Sequence, residues 1–228
     1  MQESKKEIRG KGIFRRTFLA LLLLGVGCIF VISQYQVILT RMGKFLAPEG
    51  TGKADVVILE GTEEVSEDAV RIGIEMLSSR RAQGLVLVYQ NSEDERIFAR
   101  VSDYIPLLIQ QLEVRGLRKD QVKVIFIPKD HPITLNEAQI VLSNLSKDGV
   151  RSAILVAEEF HTRRSYWIYK GVGKPLGIEI IPCPYLSRYQ CETWWNHAVG
   201  IRYFMGEFVK LFYYILRGYI PIKSILVN

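Results

Sequence analysis

The chain has 228 residues, 48% of them hydrophobic and 24% charged, which suits one domain with a full core plus an appendage and excludes a disordered chain. The formal charge of +6 is concentrated at one end: six basic residues against Glu3 and Glu7 give residues 1–16 a net of +4 and leave +2 for the rest. A short basic tail is no ground for nucleic-acid binding, and none is expected.

The tail (1–16) leads directly into TFLALLLLGVGCIFVIS, Thr17–Ser33, and the uncharged run continues through Thr40. About 20 such residues span a hydrocarbon core as a helix, and basic residues on the N-terminal side favour an N-inside orientation. Residues 17–39 are therefore expected to form an uncleaved transmembrane signal anchor. That places the N-terminus in the cytoplasm and the main domain on the periplasmic side of a bacterial inner membrane. Three alternatives fit less well. Ile29 to Ile32 carry the apolar run past Gly25-Val26-Gly27, too far for a cleaved signal peptide. Lipoprotein cleavage before Cys28 lacks the usual branched residue at position 25. A buried core helix leaves the basic flank unexplained.

Residues 40–54 hold three glycines and a proline and read as a linker. From Asp55 strands and helices alternate. DVVILEG (55–61) is a first strand, and SEDAVRIGIEMLSSR (66–80) a helix that Ser66 offers to cap. GLVLVYQ (84–90) is a second strand. Residues 95–115 have helical character interrupted by Pro106. QVKVIFIP (121–128) is a third strand. TLNEAQIVLSNLSKDG (134–149) is a helix with capping-box spacing between Thr134 and Glu137, and Gly149 at its end. SAILVAE (152–158) and GIEIIPCPY (177–185) are the fourth and fifth strands, and a terminal helix covers about 194–217. Apolar strands alternating with helices predict an α/β fold, a Rossmann-like doubly wound, mainly parallel sheet of about five strands over 55–218, with a tail at 219–228. Ligands of such sheets bind beyond the C-terminal strand ends.

Glu60, Gly61, Glu158 and His161 fall on that rim. His161 and Arg164 are three residues apart and share a helical face. With Arg163 and the free N–H groups of a helix start they suit an anion, phosphate or carboxylate. A helix N-terminus disfavours imidazolium, leaving His161 neutral and able to exchange a proton, with Glu60 or Glu158 as the orienting carboxylate. The bland alternative has His161 capping the helix and the arginines paired with Glu158 and Glu159. Thr134, Asn136 and Glu137 are ambiguous in the same way, since a capping box accounts for two of them without a ligand. Cys183 and Cys191, eight positions apart, either form a disulfide or remain thiols. No GxGxxG, P-loop, GxSxG, HExxH or CxxC is present, so no metal and no cofactor is assigned.

Taken jointly, DVVILEG, TLNEA and VAEEFHTRRS resemble the YdcF-like family, the group of SanA- and ElyC-type envelope proteins. GKPLGIEIIPCPY, TWWNHAVG and EFVKLFYYILRG are similar to its ending. The resemblance covers roughly 54–218 and implies a Rossmann-like domain, often behind a single anchor, in cell-envelope biogenesis or barrier maintenance. It places a polar cluster on Glu60, Gly61, Thr134, Glu137, His161 and Arg164. The implied partner is an anionic envelope intermediate, such as a lipid-linked phosphate or peptidoglycan precursor, that the protein binds or processes. The alternative is a non-enzymatic scaffold or regulator of envelope-synthesis proteins. One cytoplasmic member is associated with S-adenosylmethionine, which a periplasmic domain would not meet. EGTEE and YQNSE depart from the glycine pairs common after the family's first two strands, leaving less room for a phosphate against the backbone. The terminal helix is unusually aromatic and is expected either to cover the sheet or to reach lipid headgroups.

Overall fold

Five β-branched, apolar runs build the sheet: β1 (Val56–Thr62), β2 (Gly84–Gln90), β3 (Val122–Ile127), β4 (Ser152–Glu158) and β5 (Glu179–Tyr185). All pair in parallel, in the order β3-β2-β1-β4-β5. The expected Rossmann-like α/β arrangement is present, with the reversal of strand order between β1 and β4. The computed structural model describes residues 2–62, 66–90, 106–107, 109–114, 116–185, 190–221 and 225.

The helices are α1 (Gln2–Leu46), α2 (Glu67–Ser78), α3 (Ile133–Lys147), α4 (Thr162–Leu176) and α5 (Ala198–Leu216). The described residues of 106–114 are also helical. Alternation along the strands sends Val57, Leu59, Leu85, Leu87, Ile154 and Val156 to one face, where they meet Ala69, Val70 and Met76 of α2. α3 and α4 pack against each other, α3 also against β3 and α4 against β4 and β5. β1 lies at the centre between β2 and β4, with Val57, Ile58 and Ile154 fully buried, which is why these strands read as mainly apolar runs. Asp55 fastens their starts: its Oδ2 accepts from the Arg151 and Ser152 backbone N–H groups at 2.8 and 2.9 Å. Those bonds, led by that from Arg151, hold its carboxyl below the usual range.

Pro182 and Pro184 sit on β5, an edge strand, two residues apart and so with their nitrogens on the same side. The Pro182 carbonyl on that side accepts from Gly50 N–H at 2.8 Å. A Cβ at Gly50 would lie 2.8 Å from Ile181 Cγ2, which accounts for glycine there. Residues 40–54, read as a linker, therefore have structure of their own. The last turn of α1 reaches Leu46, which is 1% exposed, and the lead-in that follows is bonded to β5.

The chain divides into two compact units between Met42 and Gly43. Among the described residues no single helix is long and apolar enough to cross a membrane. The pair Phe18–Gly27 and Ile32–Leu46, bent by 52°, passes that test only together.

Candidate functional site

β1 does not run straight to its end. Its pairing with β2 steps from Leu59↔Leu87 to Thr62↔Tyr89, three residues against two. This bulge falls on Glu60-Gly61, at the point where strand order reverses, and bulges there re-aim side chains. Glu60 Oε1 accepts from His161 Nε2 at 2.8 Å and from the Ser165 hydroxyl. Gly61 N–H donates to Glu137 Oε1 at 2.9 Å, and its carbonyl accepts from Gln90 at 2.8 Å. A Cβ on Gly61 would come within 3.0 Å of Val88 and 3.1 Å of Glu137 Oε2. Close approach is what requires glycine here.

After β4 a single 3-10 turn, Glu159–His161, sets His161 just ahead of α4. His161, Ser165 and Tyr169 recur at four-residue spacing and form one stripe toward β1 and α3. The Tyr169 hydroxyl donates to Glu137 Oε1 at 2.9 Å. Arg164 is 6% exposed and its donors are taken by the protein. Nε and Nη2 reach Glu207 Oε2 at 3.2 and 3.0 Å, Nη1 reaches Thr134 Oγ1 at 2.8 Å, and Nη2 lies 2.6 Å from His161 Nδ1. Tyr214 supplies its ring face 4.8 Å from the guanidinium carbon. Glu207 Oε1 accepts from Lys210 Nζ at 2.8 Å.

His161 thus stands between two carboxylates, with Glu207 Oε2 3.2 Å from Nδ1. Burial and the Arg164 guanidinium push its pKa down, but Glu60 and Glu207 outweigh both and raise it to about 9. That corrects the neutral imidazole expected from a helix start alone. The 2.6 Å approach of Arg164 to Nδ1 is a hydrogen bond only when Nδ1 is bare, with the proton on Nε2 toward Glu60. Two carboxylates against one guanidinium set the charge of the ring. A charged ring then donates Nδ1–H to Glu207. Burial pushes Glu207 up, but His161, Arg164 and Lys210 prevail and hold it well below the carboxylate range. Burial, reinforced by Glu60, raises Glu137 to about 8 and so favours its protonated form. Glu60 Oε2 is buried without a hydrogen-bond partner, on a side chain only 5% exposed.

Of the residues singled out from sequence, Glu60, Gly61, Thr134, Glu137, His161 and Arg164 converge. Thr134 and Glu137 do not cap α3, whose N-cap is Pro132 without a side-chain bond; both turn inward to the cluster. Three other expectations are corrected, and the open choice between a disulfide and free thiols is resolved. Arg163 does not join an anion clamp: its Nε donates to the Phe45 carbonyl and its guanidinium lies over the Phe45 and Trp167 rings. Glu158 binds Tyr203, whose hydroxyl is raised by burial and by that carboxylate. Asn136 reaches back to the Asp130 carbonyl at 3.0 Å and is not part of the cluster. Cys183 and Cys191 are free thiols. Cys183 packs in the core beneath α2 and is raised to about 11 by burial, while Cys191 donates to Glu159 Oε1 at 3.0 Å.

Ser165, Tyr169 and Glu207 were missed. The first two were legible as i+4 and i+8 from His161, and Glu207 as the lone acid in an aromatic helix. Among the described residues no group of three or more His, Cys, Asp or Glu is arranged to hold a metal ion. Glu60 also lines a cavity of about 10 Å³ with Ser66, Ala69 and Tyr185, space for about one water or one hydroxyl. The cluster can therefore receive a hydrogen-bond donor at Glu60 and move a proton between Glu60 and His161. No family model matches the chain, and no curated protein or solved structure matches it.

Proposed function

We propose that the chain is a membrane-anchored, periplasmic α/β protein of cell-envelope biogenesis or barrier maintenance. Its switch-point rim binds an anionic envelope intermediate, a lipid-linked phosphate or peptidoglycan precursor, and exchanges a proton with it. The anchor reading is supported by the basic tail before an uncharged run from Thr17 to Thr40. The envelope reading is supported by the motifs that resemble the YdcF-like family.

One observation carries the chemistry: a buried Glu60–His161 pair at 2.8 Å whose second carboxylate oxygen, Glu60 Oε2, is buried without a partner. A ligand hydroxyl or a water meeting that oxygen gives its proton to the Glu60 carboxylate, which His161 holds at Oε1 through Nε2–H; in the opposite sense His161 gives its Nε2 proton to Glu60 and Glu60 passes one to the ligand. Ser165, one turn further along α4, donates to the same Glu60 oxygen as His161, and Glu207 with Arg164 fixes the ring. Arg164 is committed to Glu207 and Thr134, so the ligand's negative group is met by residues outside the cluster, and its sugar or lipid hydroxyl by Glu60.

The test is mass spectrometry of lipids and metabolites extracted from detergent-solubilised protein, with Glu60→Gln and His161→Gln beside wild type, and antibiotic sensitivity of cells carrying each. Bound intermediate lost in both folded variants, with barrier failure, supports the site. The cluster's own saturation favours a second reading, a non-enzymatic scaffold or regulator. Folded Glu60→Gln and His161→Gln chains that sustain the barrier fully would establish it instead.

A further inference from the structure

α5 has two faces of opposite character. Phe204, Glu207, Leu211 and Tyr214 are buried, and the first stacks on Trp194 with ring centroids 3.9 Å apart. On the far side Ile201, Met205, Val209, Phe212 and Leu216 follow one another at spacings of four and three residues. They are 42%, 47%, 61%, 50% and 84% exposed. This is a continuous apolar stripe along a helix about 28 Å long.

The charges beside the stripe have one sign. Between residues 198 and 217 the only acid is Glu207, which faces inward, while Arg202, Lys210 and Arg217 are exposed. Helical spacing sets Arg202 and Arg217 along the same edge of the stripe as Tyr213, with Lys210 just beyond. A second copy docking here by two-fold symmetry would bring like charges together. An anionic lipid surface answers both features, since an apolar helix face bordered by basic and aromatic residues is the pattern of an interfacial helix. Gly43, through which the chain enters this unit, is fitted against the Cys191 carbonyl and the Trp194 ring, just ahead of α5.

We propose that the Ile201–Leu216 face of α5 docks on an anionic lipid surface, with the stripe at the acyl boundary and Arg202 and Arg217 among the headgroups. For the membrane involved, this rests on the anchor reading above. Because α5 also carries Glu207, docking fixes the helix that holds Arg164 and His161 in place.

The test uses the full chain with Cys28→Ser, reconstituted in vesicles of phosphatidylcholine with or without phosphatidylglycerol. An environment-sensitive fluorophore is attached at Val209→Cys, Leu216→Cys or, as control, Arg71→Cys on α2. Quenching by lipid-borne quenchers is expected to be several-fold greater at 209 and 216 than at 71, and greater still with phosphatidylglycerol. Four results overturn the proposal: aqueous iodide reaching 209 as readily as 71, shielding already complete before vesicles are added, shielding that depends on protein concentration, or equal quenching in both lipids. Release of the chain by alkaline carbonate would refute the anchor alone, because the α5 labels are read separately at neutral pH.

Discussion

Glu207→Leu isolates the contact that holds the cluster together. Arg164 and Glu207 are 7% and 5% exposed at the side chain and bonded through Nε and Nη2 to one oxygen. Removing the carboxylate leaves a guanidinium without its counter-charge in a site closed by Tyr214 and α3. Breaking a buried pair from one side costs about 3–5 kcal/mol. In a domain of this size that lowers the melting midpoint by roughly 6–20 °C, at about 2–4 °C per kcal/mol. Arg164→Met should cost less, because Glu207 keeps Lys210 and His161. The double variant should recover most of the loss, since two apolar side chains leave no stranded charge. The assay is thermal and urea unfolding of the full chain in detergent, followed by tryptophan fluorescence. A Glu207→Leu chain within about 1 kcal/mol of wild type, or single effects that simply add, would refute the reasoning.

Stability should peak in mildly acidic buffer. His161, raised from 6.5 to about 9, contributes fully below 6.5 and loses its contribution as pH climbs through about 9, whereas Glu207, lowered from 4.5, contributes above 4.5 and loses it as pH falls through its folded value. Glu137 and Glu159, raised to about 8 and about 7 chiefly by burial, add a cost that grows from 4.5 up to those values. The maximum of the melting midpoint is therefore expected at the acidic edge of the window between 4.5 and 6.5, and a midpoint still rising beyond His161's folded pKa contradicts these signs. Gly61→Ala should destabilise by about 1–3 kcal/mol, because Val88 and Glu137 already occupy the space a methyl needs; an unchanged denaturation midpoint means the bulge gives way freely. Alkylation should modify Cys183 and Cys191 in unfolded, unreduced chain and neither in native chain; protection that requires a reductant to break marks a disulfide.

The inner strands were legible because they are buried on both faces. GLVLVYQ and SAILVAE carry five buried residues between their end positions, and both match the observed strands residue for residue. Gly149 and Gly177 follow α3 and α4 with φ of 79° and 68°, the left-handed conformation that leaves few alternatives to glycine. The cluster was half legible. His161, Arg164 and Glu60 followed from where strands end, but the direction each side chain takes did not. A guanidinium commits to the nearest buried carboxylate, and Glu207 lies 43 residues on from Arg164, beyond the reach of spacing rules. Arg163 went the other way because one step along a helix turns a side chain by about 100°, here onto Phe45 and Trp167. Thr134 and Glu137 matched a capping box in pattern only; buried partners outcompeted the backbone N–H groups of the helix start.

The two prolines of β5 set a limit on self-association. A strand from a neighbouring copy laid along that edge would find two ladder donors missing and the Pro182 carbonyl already claimed by Gly50. Growth of the sheet from one molecule to the next is blocked there by covalent structure rather than by charge. Crowded on a surface at high local concentration, such chains are shielded at β5 from the runaway strand exchange that ends in fibres.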